Sequence, residues 1–156
     1  MGRISGGLLR GAAAGAAGTT ALNAVGYLDM VYRARAASHT PEATIEALSH
    51  AVGVEVPGEG ADKENRTAAL GALTGIAAGV GMGALLGLAR SAGWRPSTAV
   101  TYSAAAIGAL IGTNAPMTVL KVTDPRTWSR TDWISDIVPH LAYAAVTAAV
   151  VERLDA

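Results

Sequence analysis

Few residues in this chain are equipped for chemistry, and those few lie in or beside stretches that otherwise carry almost no charge. His140 is the histidine placed inside such a stretch. Asp136 precedes it by one helical turn and Tyr143 follows within the next, so all three fall on one side of a helix. Asn23 and Asn114 sit in two other apolar runs. With antiparallel helices, the end of the first, the end of the third and the start of the fourth share one leaflet. Counted inward at about 1.5 Å per residue, Asn23, Asn114 and His140 each lie roughly 10 Å below that face. Asp136 lies one turn above His140, with Tyr143 and Thr147 further in. Polar groups at such depth are costly and face a bundle interior or a water-filled cavity. They could form a small polar pocket, with Asp136 orienting His140 as a proton carrier or ligand. They could instead be interhelical hydrogen bonds that hold the bundle, worth about 0.6 kcal/mol per contact. Asp29 joins the candidate pocket residues, although its i,i+4 spacing to Arg33 also fits a local salt bridge where the first span ends.

Other chemistries lack ligands or nucleophiles. A bis-histidine haem needs two axial ligands at membrane depth, whereas His39 and His50 belong to a hydrophilic segment; Met117 is a weak substitute. Ser135 adjoins Asp136 but points away from the His140 face, and no nucleophile motif accompanies it. Glu55, Glu59, Asp62 and Glu64 do not match a calcium loop and read as a solvated face. Cysteine is absent, and the formal net charge of +0 gives no electrostatic case for a nucleic-acid partner. No catalytic residue, metal or cofactor is therefore assigned, and a redox subunit holding haem or quinone remains a third alternative.

The elements that must position these groups follow from composition. The chain is 51% apolar and 15% charged, with mean hydropathy +0.33. Its charges are bunched, leaving Gly11–Leu28, Thr67–Ala89, Pro96–Leu120 and Ile137–Val151 nearly free of them. The first three approach or exceed the roughly 17–25 residues that span hydrocarbon; the fourth does so with Trp133 to Asp136 included. The predicted fold is all-α: a single membrane domain over residues 1–156, a polytopic bundle of four transmembrane helices. The spans are about 6–32, 67–89, 97–120 and 132–153, and a polar loop, 33–66, carries a short interfacial helix. Arg3 and Arg10 ahead of an apolar run resemble a signal peptide, but the segment reads as the first span. A soluble alanine-rich bundle is the alternative, yet no run has the broad polar face it would need.

Glycine falls at every fourth position in the second span: Gly71, Gly75, Gly79, Gly83, Gly87. Each would cost about 1 kcal/mol in a soluble helix, but in lipid such a stripe lets another backbone approach closely. Gly7, Gly11 and Gly15 form a second stripe and Gly108 and Gly112 a third. In the polar loop, Thr40-Pro41 marks a helix start, and Ile45, Leu48 and Val52 share one side of that short helix. Trp94 marks an interfacial turn, and Thr131 is taken as the cap of the fourth helix. Pro116 and Pro139 free the carbonyls of Gly112 and Ser135. Loop charges lean only weakly towards a cytoplasmic long loop.

The segments Asp124-Pro125-Arg126-Thr127-Trp128, Asp132-Trp133-Ile134-Ser135-Asp136 and Pro139-His140-Leu141-Ala142-Tyr143, with Thr147, resemble the last part of a group of small uncharacterised actinobacterial membrane proteins. The histidine–tyrosine–threonine spacing is similar to that of YagU-like bacterial inner-membrane proteins, with Ala144 where that resemblance would place glycine. The resemblance implies a four-span protein of the plasma (inner) membrane and no particular activity. Two functions are expected to compete. One is a non-enzymatic accessory, scaffold or self-associating bundle, a homo-oligomer or a subunit beside another membrane protein, because three small stripes exceed what a monomer must use. The other is a protein that binds or transports a small solute, a proton or a lipid around His140.

Overall fold

The computed structural model describes residues 2–155, and among them the regular structure is all helical. The helices are α1 (Arg3–Arg33), α2 (Thr40–Val52), α3 (Gly60–Ser91), α4 (Thr98–Val119) and α5 (Arg130–Asp155), with a single 3-10 turn, Pro125–Thr127, before α5. The expected long helices and the short loop helix are all present as helices, with shifted ends. α3 begins at Gly60 rather than near Thr67, because Gly58 and Gly60 at φ 102° and 51° end the loop and the charged segment after them is a competent first turn. The start of α5 is also corrected. Ser129, not Thr131, closes it: the Asp132 carboxylate accepts from the Ser129 amide at 2.9 Å, and the Ser129 hydroxyl accepts from the Asp132 amide at 3.2 Å. This reciprocal pair is a capping box.

Helices adjacent in the chain are not the ones that touch most closely. α1 packs against α3 and α5, α4 leans on α5 and on α3, and α2 rests on the first half of α3. The α1–α3 contact is backbone on backbone. A Cβ added at Gly7 would meet the Gly87 carbonyl oxygen at 2.7 Å, one at Gly15 the Gly79 carbonyl at 2.5 Å, and one at Gly83 the Gly15 Cα at 2.5 Å. Gly11 and Gly87 are equally closed to each other. Gly18 is filled by Tyr143 and Thr147 of α5, Gly71 by Pro41 of α2, and Gly108 by Met82. The first two stripes are thus largely spent on each other within one chain. The expected surplus of small stripes over what one chain uses is thereby reduced to positions such as Gly75 and Gly112, which meet nothing within 4 Å.

The core is built from small residues around one large one. Ala14, Ala105, Tyr143 and Ala144 are fully buried, and so are Thr101 and Thr147. Charged groups gather at the two ends. At one end the Asp155 carboxylate meets Arg90 at 3.0 Å, Arg95 at 3.2 Å and Arg10 at 3.7 Å. At the other, Asp29 is held by Arg33 and Arg35. From Arg10 to Arg33 along α1, and from Arg66 to Arg90 along α3, the rise is about 35 Å. Between the ends, Leu9, Leu73, Ile76, Leu85, Ile107 and Ile111 are exposed. α3 and α5 are long and apolar enough to cross a membrane. Only 17% of the most apolar window of α3, and 39% of that of α5, is buried inside the bundle. α1 and α4, diluted by Gly, Ala, Ser and Thr, fall short of that hydropathy.

Candidate functional site

The polar residues converge where α4 meets α5. Asn114 donates through Nδ2 to the Asp136 carboxylate at 2.9 Å. His140, nine-tenths buried, has Nδ1 at 2.7 Å from the Asp136 carbonyl oxygen and Nε2 at 3.3 Å from the Thr113 hydroxyl. The Asp136 carboxylate stands at 3.6 Å from Nδ1. Asp136 therefore orients the imidazole through its main chain, as the i,i+4 spacing of one helix allows, while its side chain holds Asn114. One turn deeper, Tyr143 donates to the Gly79 carbonyl of α3 at 2.7 Å, and Thr147 reaches towards the Ala14 carbonyl of α1 at 3.5 Å.

Proton accounting limits what this cluster can do. A carbonyl only accepts, so Nδ1 carries hydrogen. Neutral His140 then offers Nε2 as an acceptor, and Thr113 must donate to it. The same hydroxyl also lies 3.0 Å from the Ala109 carbonyl. Its one hydrogen can serve the imidazole or a main-chain carbonyl, not both at once.

Two expected members are placed differently. Asn23 is exposed, because the buried residues of α1 end at Thr19 and the helix beyond lies outside the tight α1–α3 packing. It borders the cluster without joining it. Asp29 is engaged by Arg33 at 2.5–2.6 Å and by Arg35 at 2.6 Å, and is a structural ion pair rather than a pocket wall. Arg33 continues to the Ser135 hydroxyl at 2.6 Å and so ties α1 to α5. Thr113 carries almost no signal in the sequence beyond standing next to Asn114, since a threonine in a helix usually bonds its own backbone.

Comparison with protein-family models, curated proteins and solved structures found no match to this chain. The site is therefore characterised by its own shape and chemistry. Beside His140 and Tyr143, between α1, α3 and α4, lies a cavity of about 630 Å³. That falls within the ~300–1,000 Å³ of small-molecule sites. Its walls are mainly apolar, and three of its glycines, Gly75, Gly81 and Gly112, have nothing within 4 Å of where a Cβ would stand. Ile76, Leu85 and Tyr27 line it while 47%, 60% and 64% exposed, so it opens sideways through the apolar belt.

A smaller space of about 270 Å³ shares Leu22, Asn23, Tyr27 and His140 with this cavity. It shares Arg35, Ser38, Ser135 and Asp136 with a polar basin of about 400 Å³ at the charged end. The basin wall includes Arg33, Arg35, Asp132, Asp136 and Trp128. Trp128 is fixed by donating to the Thr123 hydroxyl at 2.7 Å and by an edge contact with Trp133. In the adjoining turn, hydrogen bonds from Arg126 hold the Asp124 carboxyl below its ordinary pKa. Asn114 also lines the basin, and its Oδ1 is buried without a partner. Among the described residues, no group of three potential metal ligands comes together.

Proposed function

We propose that this chain is a non-enzymatic, four-span protein of the bacterial inner membrane that holds a ligand in the cavity beside His140. The membrane part is supported by the exposed apolar belt and by the roughly 35 Å between its charged ends, which suits a ~30 Å hydrocarbon layer. A core helix of a soluble domain would be mostly buried, and α3 is not. α1 and α4 are less apolar, and they cross in company with α3 and α5, against which they pack. The resemblance of the α5 motif to YagU-like proteins points the same way.

The observation that carries the binding function is the set of glycines facing empty space. Gly83 and Gly87 are small because α1 leaves no room for more. Gly75, Gly81 and Gly112 have room and no occupant, so their smallness keeps a cavity wide rather than a contact close. A scaffold or self-associating role is supported less well, since most of the first two stripes that motivated it is used between α1 and α3. The test is native mass spectrometry of protein released from mild detergent. A reproducible adduct is expected, lost in His140→Ala with expression unchanged. A discrete oligomer with no added mass would overturn the binding function and restore the scaffold.

A further inference from the structure

We infer that the ligand is a zwitterionic phospholipid, one acyl chain lying in the cavity and its ammonium-bearing phosphate head in the basin. The inference rests on the binding function proposed above and names its ligand class.

Three observations argue for it. The cavity is entered from the side, between lips that are apolar and exposed. A water-soluble solute would have to cross hydrocarbon to reach that mouth, whereas a lipid chain is already there. The space beside Asn23 and His140 shares wall residues with the cavity on one side and with a polar basin at the charged end on the other. An apolar slot leading to a polar chamber near the level of headgroups has the shape of one amphiphile.

The basin selects the head by its mixed charge. Arg33 and Arg35 face it together with Asp132 and Asp136. Each guanidinium has five N–H donors. Arg33 commits Nε and Nη2, and Arg35 commits Nε and one Nη1 hydrogen, so both keep donors for a phosphate. The acceptors are the Asp132 and Asp136 carboxylates and the unpartnered Asn114 Oδ1, which suit an ammonium. With Asp29 behind the arginines, three carboxylates outnumber two guanidinium groups by one charge. A purely anionic head would meet net repulsion there; a head carrying both signs would not.

The test uses the full-length protein in vesicles of phosphatidylethanolamine and phosphatidylcholine containing a phosphatidylethanolamine with a photoactivatable acyl chain. Labelling is expected on α4 at the cavity-lining Gly108, Ala109, Gly112 and Thr113 rather than at the outward Ile111. Gly75→Leu with Gly112→Leu fills the slot and should cut that labelling at least tenfold, leaving labelling of the outer belt near Ile107 unchanged. If the double variant does not fold, Gly112→Leu alone should give at least a threefold loss. Equal labelling in the filled variants would mean that only surrounding lipid is sampled, and would overturn the inference. Equally strong labelling from a phosphatidylglycerol probe would overturn the zwitterionic head. An adduct of water-soluble mass without lipid labelling would overturn the lipid while sparing the cavity as a binding site. Loss of a cross-linked dimer on filling would replace the lipid with a second copy of the chain.

Discussion

Thr113 has one hydroxyl hydrogen and three acceptors competing for it, the Ala109 and Leu110 carbonyls and His140 Nε2. The hydroxyl therefore serves one of them at a time, and the Nε2 hydrogen bond rests on a single rotor. Thr113→Val removes the hydroxyl and leaves Nε2 without its partner. A loss of about 1 kcal/mol is expected, read from reversible unfolding in mixed micelles, whereas Thr113→Ser should restore it. The individual polar residues were visible in the sequence, because they interrupt apolar runs at matching depths. The bonds between them were not. The spacing marks Asp136 as the residue that orients His140, yet it does so with its carbonyl, and a main-chain acceptor leaves no mark in residue type.

At the scale of helices, the glycine period says that a backbone can approach but not which one does. Gly75 and Gly83 belong to one stripe and look alike in the sequence, yet one faces open space and the other faces α1. The same substitution should therefore have opposite signs two turns apart. Gly83→Ala drives a methyl into the Gly15 backbone, and overpacking of this kind costs typically 1–3 kcal/mol. Gly75→Ala meets nothing and should leave stability unchanged or raise it by up to about 1 kcal/mol. Thermal unfolding of the two variants in one detergent checks both. If both destabilise equally, the packing of α1 on α3 is misassigned. The long helices and α2 were legible because charge-free runs and the Thr40-Pro41 start are local signals. The pairing of α1 with α3, across α2 and the loops, is not local. It decides which stripe is buried and which lines a cavity.

The whole molecule is clamped at one end by Asp155, which draws together Arg10 of α1, Arg90 of α3 and Arg95 of the following turn. Arg90 is nine-tenths buried; it meets Asp155 through Nε, and its Nη1 has no hydrogen-bond partner. Stranding a buried charge costs about 3–5 kcal/mol. Because Arg10 and Arg95 reach water, Asp155→Ala is expected near the lower end, about 3 kcal/mol. Adding Arg90→Met should recover most of the loss, since a methionine in that place needs no counter-charge. A double-mutant cycle on unfolding midpoints measures this, and strict additivity would show that the clamp is ornamental.

α5 has a further consequence that concerns time rather than energy. It comes after the other four described helices in chain order, and it supplies Tyr143, Thr147 and Val151, three of the largest fully buried side chains. Until it arrives, the centre of the bundle has no plug. α1 and α3 can already lie backbone to backbone, but the notch at Gly18 stays vacant. Synthesis from the first residue therefore yields a half-formed pair that persists while the ribosome adds two more helices. Residues distant in the chain must meet late, a topology that slows folding. Premature release after α4 would leave a product that looks membrane-ready but has no keystone.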